Sequence, residues 1–299
     1  MDQTHIYIER INKVIDYIES NLDKKITLDE LSKTACLSKY HFHRIFHSFM
    51  NESLYGFINR LRVEHAAVLL LTGKYSVTDA AFSCGFNDSA TFSRAFKKHF
   101  NISASSWKKE NSNIHQDYQS GRLYTCNRNT IMRNSIEVIA IHEKIVEKMT
   151  IAYVRNTGAY AGNSKLFHSL YKKLMKWAAP GGYINSPAVK YIVIYHDPAG
   201  ITEDQRLRIS VGITIPARVS VSGEIGKLSI VEGRYIICRF RLKNDEYGKA
   251  WTSVYRDIIP QRGLQPCEGY CYEMYPRDCY DKTAKKTIVD ICIPVKKLQ

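Results

Sequence analysis

The sequence lacks any apolar run approaching the eighteen or more residues that a membrane-spanning helix needs. Its opening, MDQTHIYIER, lacks the apolar core of a secretion signal. It also lacks a C-x-x-C pair. The eight cysteines are scattered, Cys267 and Cys271 are the closest together, and no His or Cys near them completes a zinc set. No Ser-His-Asp pattern, metal-ligand set or glycine-rich phosphate loop occurs. These absences argue against a membrane protein, a disulfide-stapled secreted domain and the commoner hydrolases and nucleotide-dependent enzymes. The expectation is a cytoplasmic protein with reduced thiols, without cofactor or metal, and not an enzyme.

Acidic residues are scarce as well. Against 43 Lys and Arg stand 29 Asp and Glu, a formal net charge of +14 that suggests a polyanionic partner. Residues 1–110 hold 15 cations against 12 acids, so most of the excess lies further on. Within 39–109 the ratio is ten to four. Charge thus supports a nucleic-acid partner locally, and the basic second half reads as a solvated face.

At 299 residues the chain is long enough for two domains. The most organised stretch is SVTDAAFSCGFNDSATFSRAFKKHF, 76–100. Val77, Ala80, Ala81 and Cys84 recur at helical spacing, and Gly85 stands where the chain must reverse with a positive φ. Asn87, Asp88 and Ser89 are capping types ahead of a second helix, whose apolar face is Phe92, Ala95, Phe96 and Phe100. Its other face carries Ser89, Thr91, Ser93, Arg94, Lys97 and Lys98. This is the build of a helix-turn-helix whose second helix can enter a major groove. A related copy lies upstream in ITLDELSKTACLSKYHFHRIFHSF, 26–49, where Phe42, Arg44 and Phe46 precede Phe92, Arg94 and Phe96 by fifty positions and Leu37 matches Phe86. Thr27 and Glu30 make a capping box. An apolar helix through Leu54, Phe57, Ile58, Leu61, Ala66, Leu69 and Leu70 joins the copies. A first helix over about 5–21 turns Ile8, Ile11, Val14, Ile15, Ile18 and Leu22 to one side.

Two helix-turn-helix units on one connecting helix, with Gly85, Phe86, Asp88, Phe92, Arg94, Phe96, Lys97 and Lys98 in order and Arg62 on the connector, resemble the AraC/XylS family of bacterial transcription regulators. The resemblance covers roughly 5–108. It implies groove contacts from Tyr40, His43 and Arg44 in the first unit and from Ser89, Ala90, Thr91, Ser93 and Arg94 in the second, with Lys39, Lys97 and Lys98 on phosphates. An internal salt bridge is the other use open to Arg44. The chain departs from the family where Asn101, Ser103 and Ala104 replace its closing Gly-x-(Ser/Thr)-Pro, and where Asn51 replaces a glycine. Asparagine can still hold a left-handed cap.

After Trp107 the sequence turns polar and aperiodic, so 109–135 reads as a linker, with 122–135 ambiguous. From Ile136 strands and helices mix, and the pattern repeats near an offset of eighty: Ile151 with Ile230, Arg155 with Arg234, Tyr195 with Tyr275, Ile215-Pro216 with Ile293-Pro294. The fold class is therefore multi-domain. An all-α domain over 1–108 carries two helix-turn-helix units, and an α+β domain over 136–299 is a duplicated strand-helix-strand-strand unit. Its order, duplication and E-x-Y strand resemble the GyrI-like effector-binding domain, and the combination with an AraC-type domain is itself a known one.

Glu273 is where the repeats differ most, because its counterpart is Val193. A lone carboxylate in an apolar strand is either exposed at a sheet edge or buried with donors or a cation. The resemblance implies the second, a pocket acid on this strand. Aromatic walls around one carboxylate make a cation cage, and Tyr153, Tyr195, Trp251, Tyr255 and Tyr275 are the expected walls. The implied function is a DNA-binding transcription regulator, an activator, responsive to a small cationic or lipophilic ligand. Its partners would be double-stranded DNA, that effector and RNA polymerase, and not a membrane. Two alternatives stay open for the second half: a hydrolase using Glu273 as base, or a protein-interaction module.

Overall fold

The computed structural model describes residues 3–111, 136–198 and 200–297. The linker expected over 109–135 lies outside them from residue 112 on, as does the ambiguous stretch 122–135. The chain forms two compact units, one helical and one built on a sheet. Among the described residues no helix is long and apolar enough to cross a membrane.

In the helical unit α1 (Gln3–Glu19) is followed by α2 (Leu28–Thr34) and α3 (Lys39–Met50), then by the connector α4 (Leu54–Leu71). A second pair, α5 (Val77–Ser83) and α6 (Ser89–Phe100), and the short α7 (Ala104–Glu110) complete it. Each helix from α2 to α7 begins on a side chain that accepts an otherwise orphaned backbone N–H: Thr27, Ser38, Ser53, Ser76, Asp88 and Ser103. Thr27–Glu30 and Ser76–Asp79 are reciprocal capping boxes. Ser53 Oγ accepts from Gly56 N–H at 3.1 Å at the head of α4. Ser53→Ala should therefore lower stability by about 1 kcal/mol without altering the fold, read as a shift in the helical melt followed at 222 nm.

The helix ends use left-handed residues. Asn51 (φ 53°) and Asn101 (φ 61°) close α3 and α6, holding the cap where the family pattern has glycine or a Gly-containing stop. The first turn reverses at Cys36 (φ 50°) and the second at Gly85 (φ 79°). Val14, Ile18, Leu31, Phe42, Phe46 and Phe57 form the core under the first pair. Phe86, Phe92 and Phe96 are buried in the second, their rings in edge-on or tilted contact. Two polar ties cross these packed helices. Arg62 on α4 donates to the carbonyls of Leu22 (3.0 Å) and Lys24 (2.6 Å), which fixes the α1–α2 loop. Arg60, also on α4 and 5% exposed, pairs with Glu52 and Glu64, and Glu64 faces His99 of α6 at 3.5 Å.

The sheet unit runs β1 (Glu137–Val146), β2 (Met149–Thr157), α8 (Ser164–Ala178), β3 (Tyr191–Tyr195) and β4 (Arg208–Ile215). It then repeats as β5 (Ile225–Ile230), β6 (Gly233–Leu242), α9 (Tyr247–Ser253), β8 (Cys271–Tyr275) and β10 (Lys286–Lys297). A π-turn, Val254–Ile258, and a last turn, Ile259–Gln261, extend α9, while short β7 (Leu264–Pro266) and β9 (Tyr280–Asp281) pair with β10. Each repeat thus gains a leading strand on the expected strand-helix-strand-strand core. The stretch 227–242 divides at Val231-Glu232, so Ile230 ends β5 whereas Ile151 lies within β2.

The strand order is β1-β6-β10-β8-β3-β4-β2-β5. It reads as the same arrangement from either end, with the β8–β3 pair at the pseudo-twofold centre. The leading strands are exchanged: β1 of the first repeat lies against β6 of the second, and β5 of the second against β2 of the first. Salt bridges Glu137–Arg241 and Glu143–Arg234 run from β1 to β6. The α9 stretch packs Trp251, Val254, Tyr255 and Ile258 on Ile236, Cys238, Phe240, Ile291 and Ile293. Helix α8 packs on β2 and β4.

Candidate functional site

The helix-turn-helix copies leave one face of each second helix in water. On α3, Phe42 and Phe46 are buried, while Lys39, Tyr40, His43 and Arg44 are exposed, Tyr40 at 75%. On α6, Phe92 and Phe96 are buried, while Ser89, Ala90, Ser93, Arg94, Lys97 and Lys98 are exposed and Thr91 is half-buried. The division follows helical geometry: residues three and four apart share a face, so anchoring the phenylalanines turns the hydroxyls and cations outward. Arg44 stacks over Tyr40, its guanidinium carbon 5.8 Å from the ring centroid, and Arg94 Nη2 donates to Thr91 Oγ1 at 3.3 Å. Neither arginine takes a buried ion pair that would hold it from a groove. Lys39 pairs with Asp29 at the surface, where screening keeps the pair weak. The head of α6 is set by Asp88, whose carboxylate accepts from Thr91 N–H at 2.7 Å; that bond holds the carboxyl below its ordinary range.

In the sheet unit Glu273 is 2% exposed on β8, a central strand between β10 and β3, and is no edge residue. Its β3 partner in the register is Val193, the residue that the offset of eighty makes its counterpart. Three donors meet the carboxylate. Trp251 Nε1–H donates to Oε1 at 2.7 Å, and the hydroxyls of Tyr195 and Tyr275 donate to Oε2 at 2.8 and 2.6 Å. Burial raises the carboxyl above its ordinary range, while Tyr275, Trp251 and Tyr195 pull it back. Burial and then the Glu273 charge push the Tyr195 and Tyr275 phenols far up, which keeps both as donors. Tyr255 stacks parallel to Trp251 at 6.3 Å and shares a hydrogen bond of 3.2 Å with Cys271 Sγ, so it backs the wall instead of reaching the carboxylate. Burial lifts the Cys271 thiol to about 11.

Tyr153 does not belong to this group. It pairs with Gly212, which pairs with Ile192, and that row lies on the sheet face opposite Val193 and Glu273. There it is fully buried with Ile192, Ile194 and Tyr272, and Arg155 lies over its ring.

Three aromatics that the sequence reading omits do belong. Tyr160 packs on Tyr195 with centroids 5.5 Å apart. Tyr171 of α8 and Tyr247 of α9 feel the Glu273 charge, and burial with that charge raises Tyr247 to about 12. The signal for Tyr171 was present, because an offset of eighty carries it onto Trp251 just as it carries Tyr195 onto Tyr275. The site is thus pairs of repeat-related aromatics about a single unpaired acid. Such an arrangement can compensate one positive charge within an aromatic enclosure. Among the described residues no group of three or more His, Cys, Asp or Glu is placed to hold a metal ion.

An exposed polar face on a pair of helix-turn-helix second helices, in one unit, and a buried acid among repeat-related aromatics, in the other, define a protein of two parts. The chain belongs to the GyrI-like small molecule binding domain family, whose model matches residues 140–296, more than half of the chain; an AraC-type helix-turn-helix domain matches 31–110. The lactose operon transcription activator of Staphylococcus xylosus is 30% identical over 106 residues, 36% of this chain and 38% of that protein. The Msm operon regulatory protein of Streptococcus mutans is 31% identical over 110 residues, 37% of this chain and 38% of that protein. The chain therefore spans under two fifths of the length of these relatives. Among solved structures, the DNA-binding domain of AdpA in complex with a target DNA is similar to 35% of the chain (95% of that domain, 23% identity, TM-score 0.34). The EcmrR C-terminal domain is similar to 53% of it (98% of that domain, 13% identity, TM-score 0.40).

Proposed function

We propose that the protein is a ligand-responsive transcription regulator. Its helical domain, ending near residue 108, binds double-stranded DNA through α3 and α6, and its sheet domain from 136 binds a small cationic or lipophilic molecule at Glu273. The observation that carries this reading is the pairing of an outward, acid-poor face on α3 and α6 with a buried acid ringed by Tyr195, Trp251 and Tyr275. Lys39, Lys97 and Lys98 hold phosphates; Tyr40, His43, Arg44, Ser89, Ala90, Thr91, Ser93 and Arg94 meet base edges and sugar. Two such helices on one chain address successive major-groove segments about one turn apart. In the cell the protein acts in the cytoplasm as an activator and engages RNA polymerase.

The test is selection of bound duplexes from a random pool by the full chain at stated salt, with and without tetraphenylphosphonium. An enriched bipartite site, with occupancy that responds to the cation, is the expected result. Absence of any enriched sequence would overturn the regulator. On the selected site Arg94→Ala should cost about 1–3 kcal/mol and relax preference at one base position. A uniform loss over all sequences would instead assign Arg94 to phosphate alone.

A further inference from the structure

Helix α8 carries more positive charge than its place in the sheet unit requires. From 148 to 196 the sequence holds seven Lys and Arg and not one Asp or Glu. Four of the lysines, Lys165, Lys172, Lys173 and Lys176, lie on α8 and are exposed, and Lys165, Lys172 and Lys176 share one face. At 3.6 residues per turn these three fall within about 40° of one another, in a row about 16 Å long, with exposed His168 and Ser169 beside it. The opposite side holds Leu170, Leu174 and Ala178, all buried. No acid among the described residues pairs with Lys165, Lys172 or Lys176.

The duplication supplies an internal comparison. An offset of eighty carries Leu170, Leu174 and Ala178 onto Ala250, Val254 and Ile258, which are buried in the same way. It carries the three lysines onto Asp245, Thr252 and Arg256, and Arg256 is paired with Asp257. Packing on the sheet therefore does not need the row, and only one of the two helices has it.

We propose that the α8 lysine row is a second DNA-contacting surface that binds phosphates without reading sequence. The inference rests on the regulator reading above for its partner. Lysine is a flexible point charge suited to phosphate and poor at bidentate base recognition. A row of this length spans several phosphates of one strand, which are spaced about 3.4 Å apart along the axis. The row's exposed neighbours are polar, without the apolar rim by which an amphipathic helix enters a lipid surface.

The experiment compares the full-length protein with the variant Lys165→Gln/Lys172→Gln/Lys176→Gln, and with the control Lys249→Gln/Arg256→Gln on α9. Binding to the selected duplex, carrying long flanks, is measured against salt concentration, with thermal melts verifying that each variant folds. The triple variant should lower the slope of log K against log salt by about 2–3, keep the same sequence preference and lose hydroxyl-radical protection outside the bipartite site. The α9 control should change none of these. An unchanged slope in the triple variant overturns the inference, and an unchanged slope with lost activation in vitro would assign the row to an acidic protein partner. Equal losses in both variants would reduce it to net charge and also overturn it. If the wild type enriches no sequence but shows a slope that only the triple variant lowers, the regulator reading fails and the phosphate surface stands. If the wild type binds no DNA at any salt, both fail.

Discussion

Replacing Glu273 by glutamine is expected to weaken binding of tetraphenylphosphonium by about thirtyfold or more, roughly 2 kcal/mol, and to leave DNA affinity in the absence of ligand unchanged. The carboxylate is 2% exposed, so water screens little of its attraction for a bound cation, and no second acid among its described neighbours replaces it. Glutamine keeps the volume and one acceptor oxygen for Trp251 Nε1–H, and the Tyr195 and Tyr275 hydroxyls can rotate to accept from the new amide. The fold should therefore survive. Titration calorimetry on the full chain reads the effect, with a neutral aromatic of similar size as control. Equal cation affinity in both proteins would sink the cage.

The same substitution carries a pH signature. Burial holds the folded-state pKa of Glu273 above the unfolded one, so the folded chain binds this proton more tightly. The stability this group confers is full below the ordinary carboxylate pKa and is lost as pH rises through the higher folded value. The stability difference, wild type minus Glu273→Gln, should consequently fall as pH rises from about 4, and a cation should restore it. Holding an acid at this buried position thus costs the apo fold some stability.

Gly85→Ala should destabilise the helical unit strongly, by about 3 kcal/mol or more. Gly85 has φ 79°, and a Cβ there would lie 2.5 Å from the carbonyl oxygen of Leu22 and 2.8 Å from Arg62 Nη2. The first obstacle is backbone and cannot swing away. The second belongs to the arginine that ties the α1–α2 loop to α4. Gly85→Asn separates the two causes, since Asn51 and Asn101 already hold left-handed φ values in this unit. If asparagine rescues stability, the dihedral was the problem; if it fails like alanine, the crowding was. Urea unfolding followed at 222 nm distinguishes them, and full stability in Gly85→Ala would refute both.

These residues also mark how far the sequence could be read. The helical half was legible almost to the residue because its signals are local: the capping box at Thr27, the reversal at Gly85, the phenylalanines of α3 and α6. Even the departures at Asn51 and Asn101 resolved as left-handed caps. In the sheet half the offset of eighty located Glu273, Tyr195 and Tyr275, because strand and helix lengths are copied between repeats. Tyr153, an expected wall that the offset does not supply, falls on the other face, since the face a side chain takes depends on the register of β2 against β4, and its partner Gly212 lies nearly sixty residues away. Tyr171 lies on α8, where its repeat relation to Trp251 rests on the offset alone, without a strand pattern to mark it. The division of 227–242 is marked in the sequence only by Gly233, which follows Val231-Glu232 and opens β6, amid apolar residues that run on as one strand.

The exchange of leading strands bears on how the sheet is made. Residues 137–146 must wait for 233–242, nearly a hundred positions later, before their ladder can close. A ribosome delivering the first repeat leaves its outer β2 edge unclaimed until 225–230 emerges. Loop-closure entropy and exposed strand edges both slow such assembly and favour sticking to neighbours. One repeat expressed by itself has a ready remedy, because a second copy of the same half offers the missing strand. The single-chain sheet is then what two such halves become when joined end to end, an intertwined dimer made permanent by covalent connection.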